Sequence, residues 1–444
     1  MNSIATLTMN SNKKYKLNFN GGQLSSDGGL LLVKEFAHKI GFEDLVHRSF
    51  KTDDTAKWRK HTDPNNLLQM IYQNMSGYFR DDRADDLSGD PMLSAVLGKD
   101  KTASQPTMSR FINRTNKTTL LQMNELARAM RKAFYSVEKP KEFLLDLDST
   151  LFHTYGEQEG QGFNFHYQGY GYHPLLCFDS HTGMLMKATL RNGNAHSGKD
   201  SDVFMRDILE ELKADFPKIP RVLRADSGFA TPKLYEVLEE MDCRYAIRQK
   251  NNKKLTRLVA DKAEALILRM TKGAYASEDN LIYGELMYQA ITWDRPRRIV
   301  YKLEGLPDSF LVTYTFIVTS MDDQSPEEVI DFYLKRGSME NFIKECKNGF
   351  GFKMVSSSKM IVNENRLQIH ALTYNLFNAF RRLVLTKDMR KHQIDTIRIK
   401  LLKIAVKVVH RSRQTYFKLC SSYAYKRQFV EIFENIEQLC PQLE

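Results

Sequence analysis

Apolar positions along the chain change their spacing near residue 143. Before that point they recur at three and four. Leu67, Leu68, Ile71 and Tyr72 follow Asp63-Pro64, where an N-cap and a proline at the first helical position predict a helix start. Residues 1–138 therefore read as mostly helical, after a polar leader containing Gly21-Gly22 and Gly28-Gly29. From 143 onward, short apolar runs separated by glycine-bearing turns alternate with helical patterns, which indicates mixed α/β architecture. Strands are predicted over 143–148, 184–190, 221–225 and 244–247, and helices over 202–212 and 232–241. A β-rich stretch follows, with candidate strands over 281–293, 298–303 and 310–319, and reads as an insertion in the α/β domain. Ser325-Pro326-Glu327-Glu328 is a capping box with proline at the first position, so a helix starts there and is predicted to run to Asn348-Gly349. Further helices are expected over 364–385 and 427–439, with a basic helix or strand over 401–409. The resulting division is an N-terminal region at 1–138, an α/β domain at 139–250 and 320–385, a β-rich insertion at 251–319, and a basic C-terminal region at 386–444.

At 444 residues the chain is long enough for roughly three domains of ~150 residues. A hydrophobic share of 42% and a charged share of 27% are those of a globular protein and argue against a disordered or fibrous chain. Lys and Arg exceed Asp and Glu by 65 to 54, so the expected partner is a polyanion. The excess is local: residues 381–427 hold 14 Lys/Arg against only Asp388 and Asp395. Tyr416, Phe417, Tyr423 and Tyr425 interleave with these charges, and aromatic faces beside phosphate-seeking side chains suit nucleic acid, although a basic tail can also be a solvated face. Arg411 and Arg413 are the DNA-binding candidates of this segment. The five cysteines are odd in number and never form C-x-x-C, which fits a reducing compartment without zinc fingers. No run of about eighteen apolar residues and no signal-peptide core after Met1-Asn2-Ser3-Ile4 is present, so a cytoplasmic protein without a membrane span is expected.

The residues that could do chemistry lie at strand ends. Leu144-Leu145-Asp146-Leu147-Asp148-Ser149-Thr150 places two carboxylates at the end of an apolar strand, on one face by the period of two; the alternative is a pair of N-caps or turn residues after the strand. Val222-Leu223-Arg224-Ala225-Asp226-Ser227-Gly228 ends a second apolar strand in the same way, and ligands of open α/β sheets sit at the carboxyl ends of strands. On the helix from Pro326, Tyr333, Arg336, Glu340 and Lys347 are spaced by three, four and seven residues, within an arc of roughly 60° on a regular helix; Arg336 and Glu340 could instead be a surface ion pair. Three carboxylates from two strand ends and a helix are the donors that two Mg²⁺ ions about 4 Å apart require for in-line phosphoryl displacement, with Mn²⁺ substituting. Elsewhere, Ser104, Gln105, Thr107 and Arg110 open a candidate recognition helix, or only a capped surface helix. Arg191 stands in a glycine-bearing loop, 191–199, suited to a phosphate backbone or to plain connection. Asn164, His166 and His173 in an aromatic strand over 163–172 match no zinc spacing and are read as core or DNA-facing residues.

The spacing of Tyr333, Arg336, Glu340 and Lys347 resembles the Y-x2-R-x3-E-x6-K signature of DDE transposases with a ribonuclease-H-like catalytic domain. Gly156-Glu157-Gln158-Glu159-Gly160, residues 190–197 and Ser104-Gln105-Pro106-Thr107 are similar to the insertion sequence thirteen-eighty group. The resemblance spans nearly the whole chain. It implies catalytic, metal-holding roles for Asp148, Asp226 and Glu340, with Asp148-Ser149-Thr150 fitting the first acidic position better than Asp146 does. It also implies a β-rich insertion between Asp226 and Glu340, DNA contacts from Tyr333, Arg336 and Lys347, and a bacterial enzyme acting as a homodimer on double-stranded element ends and target DNA. Related enzymes with such an insertion cut through a DNA hairpin. Trp293, followed by Asp294-Arg295-Pro296-Arg297-Arg298, is thus expected either to stack on an unpaired base beside Arg297 and Arg298 or to pack the insertion onto the catalytic domain. A ribonuclease-H-like nuclease without strand transfer and an inactive DNA-binding relative are the competing readings.

Overall fold

The computed structural model describes residues 6–56, 58–271, 280–306 and 311–441, so Met1-Asn2-Ser3-Ile4 and Phe310 of the expected 310–319 strand lie outside the described residues. Two compact units account for the chain. The first comprises residues 1–137, 345–354 and 368–444, and the second residues 138–344 and 355–367.

The first unit opens with the short strands β1 (Leu7–Thr8), β2 (Lys16–Leu17) and β3 (Leu24–Ser25) and continues as helices, among them Leu30–Lys39, Phe42–Ser49, Asp63–Met75, Gln105–Asn113 and Lys117–Val137. Asp63–Met75 is its central helix, with Leu67, Ile71, Tyr72 and Met75 fully buried. Its cap is Thr62, whose hydroxyl accepts from the Asn65 N–H, one residue before the expected cap. Asp63 is buried instead and accepts from the Thr52 N–H and hydroxyl, Arg59 and Arg114.

Among the described residues of the second unit, eleven strands follow: β4 (Phe143–Ser149), β5 (Phe152–His153), β6 (Gly162–Asn164), β7 (Gly169–Tyr172), β8 (Leu175–Asp179), β9 (Met184–Thr189), β10 (Arg221–Ala225), β11 (Arg244–Gln249), β12 (Leu281–Tyr288), β13 (Arg297–Leu306) and β14 (Leu311–Thr319). Eight of them form one sheet in the order β12-β13-β14-β11-β10-β4-β8-β9. Its centre, β4-β10-β11, is parallel and all other pairs are antiparallel. Helices Ser201–Asp215 and Pro232–Glu240 make the connections into and out of β10. The β-rich stretch between β11 and the capping box does not form a sheet of its own: β14 pairs with β11 and extends the central sheet. One sheet face carries Leu144, Val222, Ala246, Val300 and Ile317, which pack with Val329, Ile330 and Tyr333 of the helix Pro326–Leu334. That helix keeps its capping box, Glu328 accepting from the Ser325 N–H and Ser325 accepting in return.

The expected helix from Pro326 to Gly349 is broken. Pro326–Leu334 passes through a 3₁₀ turn, Lys335–Gly337, into Ser338–Gly349. Glycine costs about 1 kcal/mol in a helix interior, and the change of pitch there invalidates a 100° count across the break. The expected aromatic strand over 163–172 is a hairpin, β6 and β7 around a turn, because Asn164 accepts from the N–H groups of His166 and Tyr167 and reverses the chain. In the first unit, the C-terminal residues form the hairpin β15 (Val406–Arg411) and β16 (Gln414–Leu419), which pairs with β3. Among the described residues, no helix is long and apolar enough to cross a membrane.

Candidate functional site

The pairing register of β4 and β10 brings two sequence-predicted carboxylates together. These strands are parallel with Leu147 opposite Ala225, so Asp148 and Asp226 stand one residue further along neighbouring strands, which lie about 4.8 Å apart. Both are half-buried. Asp226 is fixed by its own turn, accepting from the Gly228 N–H at 2.8 Å. Asp148 accepts from the Ser149 N–H at 2.8 Å and from Arg336 Nη2 at 2.8 Å.

Residues 144, 146 and 148 share the face covered by Pro326–Leu334, as the period of two requires, but the two aspartates end in different surroundings. Asp146 is fully buried and bound by Arg224 through Nε at 2.8 Å and Nη2 at 2.9 Å. Arg224 also donates to the Phe332 carbonyl and lies over the Phe332 ring. The Asp146 charge is therefore cancelled within the core, and Asp148 is the aspartate of the pair that meets the open end of the sheet.

Glu340 lies exposed on the first turn of Ser338–Gly349. Its charge still reaches Asp148, whose carboxyl is pushed up to about 6: burial dominates, Arg336 and the Ser149 N–H oppose it, and Asp226 and Glu340 add repulsion. This trio of oxygen donors with mutual repulsion has the donor chemistry and the charge demand of a hard divalent cation, and Arg336 supplies positive charge at Asp148. The fit is one of chemistry and charge: among the described residues, no three acidic, histidine or cysteine side chains converge on a point that would hold an ion.

Two further side chains border the site. The Tyr167 hydroxyl donates to the Ser149 carbonyl at 2.9 Å, and its phenol is pushed up to about 12 by burial and then by Asp148 and Asp226. Ser197 comes within 3.4 Å of the Ser149 hydroxyl, and its loop packs against the turn after Asp226, where a Cβ on Gly228 would stand 2.8 Å from Ser197 Cβ. Arg191 holds this loop. It is buried and donates to the carbonyls of His173, His196, Ser197 and Lys199, and burial drives its guanidinium down to about 10.

The remaining sequence candidates are dispersed. Tyr333 is buried in the core beneath the sheet. Lys347 is half-buried on the last turn of Ser338–Gly349, its ammonium lowered by burial and by Lys353. Trp293 is 6% exposed, edge-on to Tyr235 and Tyr288, with the Arg297 guanidinium over its ring, so it stands in packed core and not at an open strand end. Arg297 is buried and held by Glu239 and Asp294, and Arg298 pairs with Glu285 and donates to the Gln324 carbonyl. In the first unit, Ser104 caps Gln105–Asn113 by backbone geometry; Ser104, Gln105 and Thr107 are half-buried, and Arg110 is exposed. Arg411 and Arg413 are exposed at the tip of the β15-β16 hairpin.

A family model described as Transposase DDE domain group 1 matches residues 7–441. A comparison with curated proteins returned no match. Among solved structures, the chain is similar to a piggyBac transposase synaptic complex with hairpin DNA, at 14% identity and TM-score 0.44 over 94% of this chain and 86% of that one. It is also similar to a Mos1 transposase paired-end complex with left transposon end, at 10% identity and TM-score 0.18 over 44% and 61%.

Proposed function

The chain belongs to the transposase DDE domain group 1 family, and on that premise we propose that it binds the terminal inverted repeats of an insertion sequence, cleaves them and joins the ends to target DNA. The observation that carries this reading is the β4-β10 register, which sets Asp148 and Asp226 side by side at the carboxyl ends of two parallel strands. The strand order β9-β8-β4-β10-β11, with a parallel centre, supports a ribonuclease-H-like catalytic domain whose edge is prolonged by the inserted strands β12 to β14.

Asp148, Asp226 and Glu340 are the residues that would hold Mg²⁺. The chemistry gained from a bound pair of such ions is activation of a water or 3′-hydroxyl and stabilisation of the leaving oxygen. The chain's own groups do the positioning. Arg336 pairs with Asp148 at the open end of the sheet and is the positive charge that would meet a DNA phosphate there. Tyr167 ties the residue after Asp148 to the β6-β7 hairpin, and Arg191 stiffens the loop beside Asp226. The partner is double-stranded DNA, engaged as a homodimer in the bacterial cytoplasm. Lys407 and Lys418 stand directly opposite one another, exposed, in the β15-β16 hairpin. Like charges opposed across a ladder are unfavourable without an anion between them, and a phosphate backbone supplies one.

Purified protein incubated with labelled element ends and Mg²⁺ tests the proposal. Cuts at the ends and joined products are expected. Cuts without joined products would reduce the protein to a nuclease, and no cuts would remove the catalytic reading.

A further inference from the structure

We propose that the β6-β7 hairpin is a stacking platform for an unpaired DNA base beside the cut site. The inference rests on the DNA-cleaving reading of that site and adds a ligand that the carboxylates do not specify.

The two faces of the hairpin differ. Phe163 stands opposite Tyr170 in the β6-β7 ladder, and the Phe163 ring packs edge-on against Tyr170 and Phe165, each at 5.2 Å between centroids. Phe165 is 80% exposed and Tyr170 62%, which leaves a hydrocarbon face in water. The other face carries Gly162 and Gly171, paired in the same ladder, and is closed by the loop holding Gly193. A Cβ on Gly193 would stand 1.9 Å from the Gly171 carbonyl oxygen, and one on Gly162 2.9 Å from the Asn194 nitrogen, so the backbones are in contact and side chains are excluded. Asn164 clamps the tip: its amide donates to the Gly193 carbonyl at 2.9 Å while its oxygen accepts from His166 and Tyr167. The aromatic face is thus carried on a braced backbone and loses little freedom on binding, which favours affinity.

Position identifies the occupant. Tyr167 follows Phe165 in the turn, is 38% exposed, and donates to the carbonyl of Ser149, the residue after Asp148. The hairpin that carries the platform is therefore bonded, through Tyr167, to the residue next to the carboxylate at which the scissile phosphate would lie. Exposed aromatic rings beside a phosphate site match a nucleobase turned out of its stack, because every base offers a flat face and stacking offsets the cost of unpairing. Bases inside a duplex cannot reach such a surface, so the platform should distinguish unpaired from paired DNA.

The test uses the full chain without added metal and two probes that share one labelled strand: a duplex whose complement leaves a single 2-aminopurine unpaired, and the fully paired duplex. The native protein should bind the unpaired probe more tightly and quench its fluorescence. Phe165→Ala combined with Tyr170→Ala should weaken the unpaired probe by about tenfold or more, leave the fluorescence unquenched, and leave paired-duplex affinity and melting temperature unchanged. Phe165→Trp with Tyr170→Phe should restore preference and quenching. Equal affinity for both probes, or equal loss on both in the alanine variant, would overturn the platform while leaving the DNA-cleaving reading in place. Failure of the native protein to bind either duplex would overturn both.

Discussion

Arg224 grips both carboxylate oxygens of Asp146 at 2.8 and 2.9 Å inside the core, whereas Asp148, two residues further along the same strand, meets Arg336 at the open end of the sheet. The two aspartates should therefore fail differently when changed. Asp148→Ala, Asp226→Ala and Glu340→Ala are each expected to abolish cleavage with little loss of stability or of end binding. Asp146→Asn should instead cost about 3–5 kcal/mol in denaturant unfolding, because it leaves the Arg224 charge buried and unpaired. A stable, inactive Asp146→Asn protein beside an active Asp148→Ala protein would reverse the assignment.

Arg336 is tied to the protein mainly through Asp148, with Nη2 also 3.4 Å from the Leu147 carbonyl and Nε without an acceptor. Arg336→Ala should slow cutting and joining at least tenfold while shifting the melting temperature little. A large fall in melting temperature with normal rates would make the contact a structural ion pair.

The positive surplus of residues 381–427 is divided by the fold. Arg381 pairs with Glu345, Lys403 with Asp27, and Arg398 is spent on Asp395 and the carbonyls of Asn74, Met75 and Gly349. Lys407, Arg411, Arg413 and Lys418 are left exposed on the β15-β16 hairpin. Replacing these four with Gln should reduce the slope of log affinity against log salt by up to ~0.9 for each phosphate that is no longer neutralised. An unchanged slope would assign the phosphates to other residues.

Asp63 supplies a pH dependence in the first unit. Burial alone would raise its carboxyl, but hydrogen bonds from Thr52, Arg59 and Arg114 outweigh it and hold the group below the ordinary value. Its contribution to stability is therefore complete above the unfolded carboxylate range near pH ~4 and is lost as pH falls through the lowered folded value. Asp63→Asn should destabilise the protein by about 2 kcal/mol at neutral pH, and the difference from the native chain should shrink at acid pH. A difference that stays constant with pH would show that the charge is not what matters.

Trp293→Ala is expected to cost about 3–5 kcal/mol through loss of its packing against Tyr235, Tyr288 and Arg297. Nicking and second-strand cleavage should then fall together. A stable variant that nicks normally and fails only on the second strand would return Trp293 to a base-stacking role.

Much of this was legible in the sequence where one local rule acts alone. Period two put Asp146 and Asp148 on one face, and the capping box at Ser325 marked a helix start. Choosing between the aspartates needed Arg224, which reaches Asp146 only because β10 lies beside β4. β8, Leu175–Asp179, is a short apolar run without alternation, and such a run does not distinguish strand from buried helix. The arc linking Tyr333 to Lys347 assumed a continuous helix, which the turn at Lys335–Gly337 interrupts. Arg191 and Arg297 read as DNA-contacting charge, but long side chains can turn inward to spare carbonyls or to a half-buried glutamate, and composition carries no record of that. Tyr167 belongs to no motif; its role follows from a hairpin that brings it back over Ser149.

The most direct measurement of the central claim, that Asp148 and Asp226 bind the catalytic metal, is a change of ligand softness. Asp148→Cys and Asp226→Cys, assayed on labelled ends, should be inactive with Mg²⁺, which prefers hard oxygen donors, and should recover cleavage with the thiophilic Mn²⁺. The native enzyme should cut with either ion. Cysteine variants that cut equally well in Mg²⁺ and Mn²⁺, or a native enzyme that cuts in the presence of a chelator, would contradict the account.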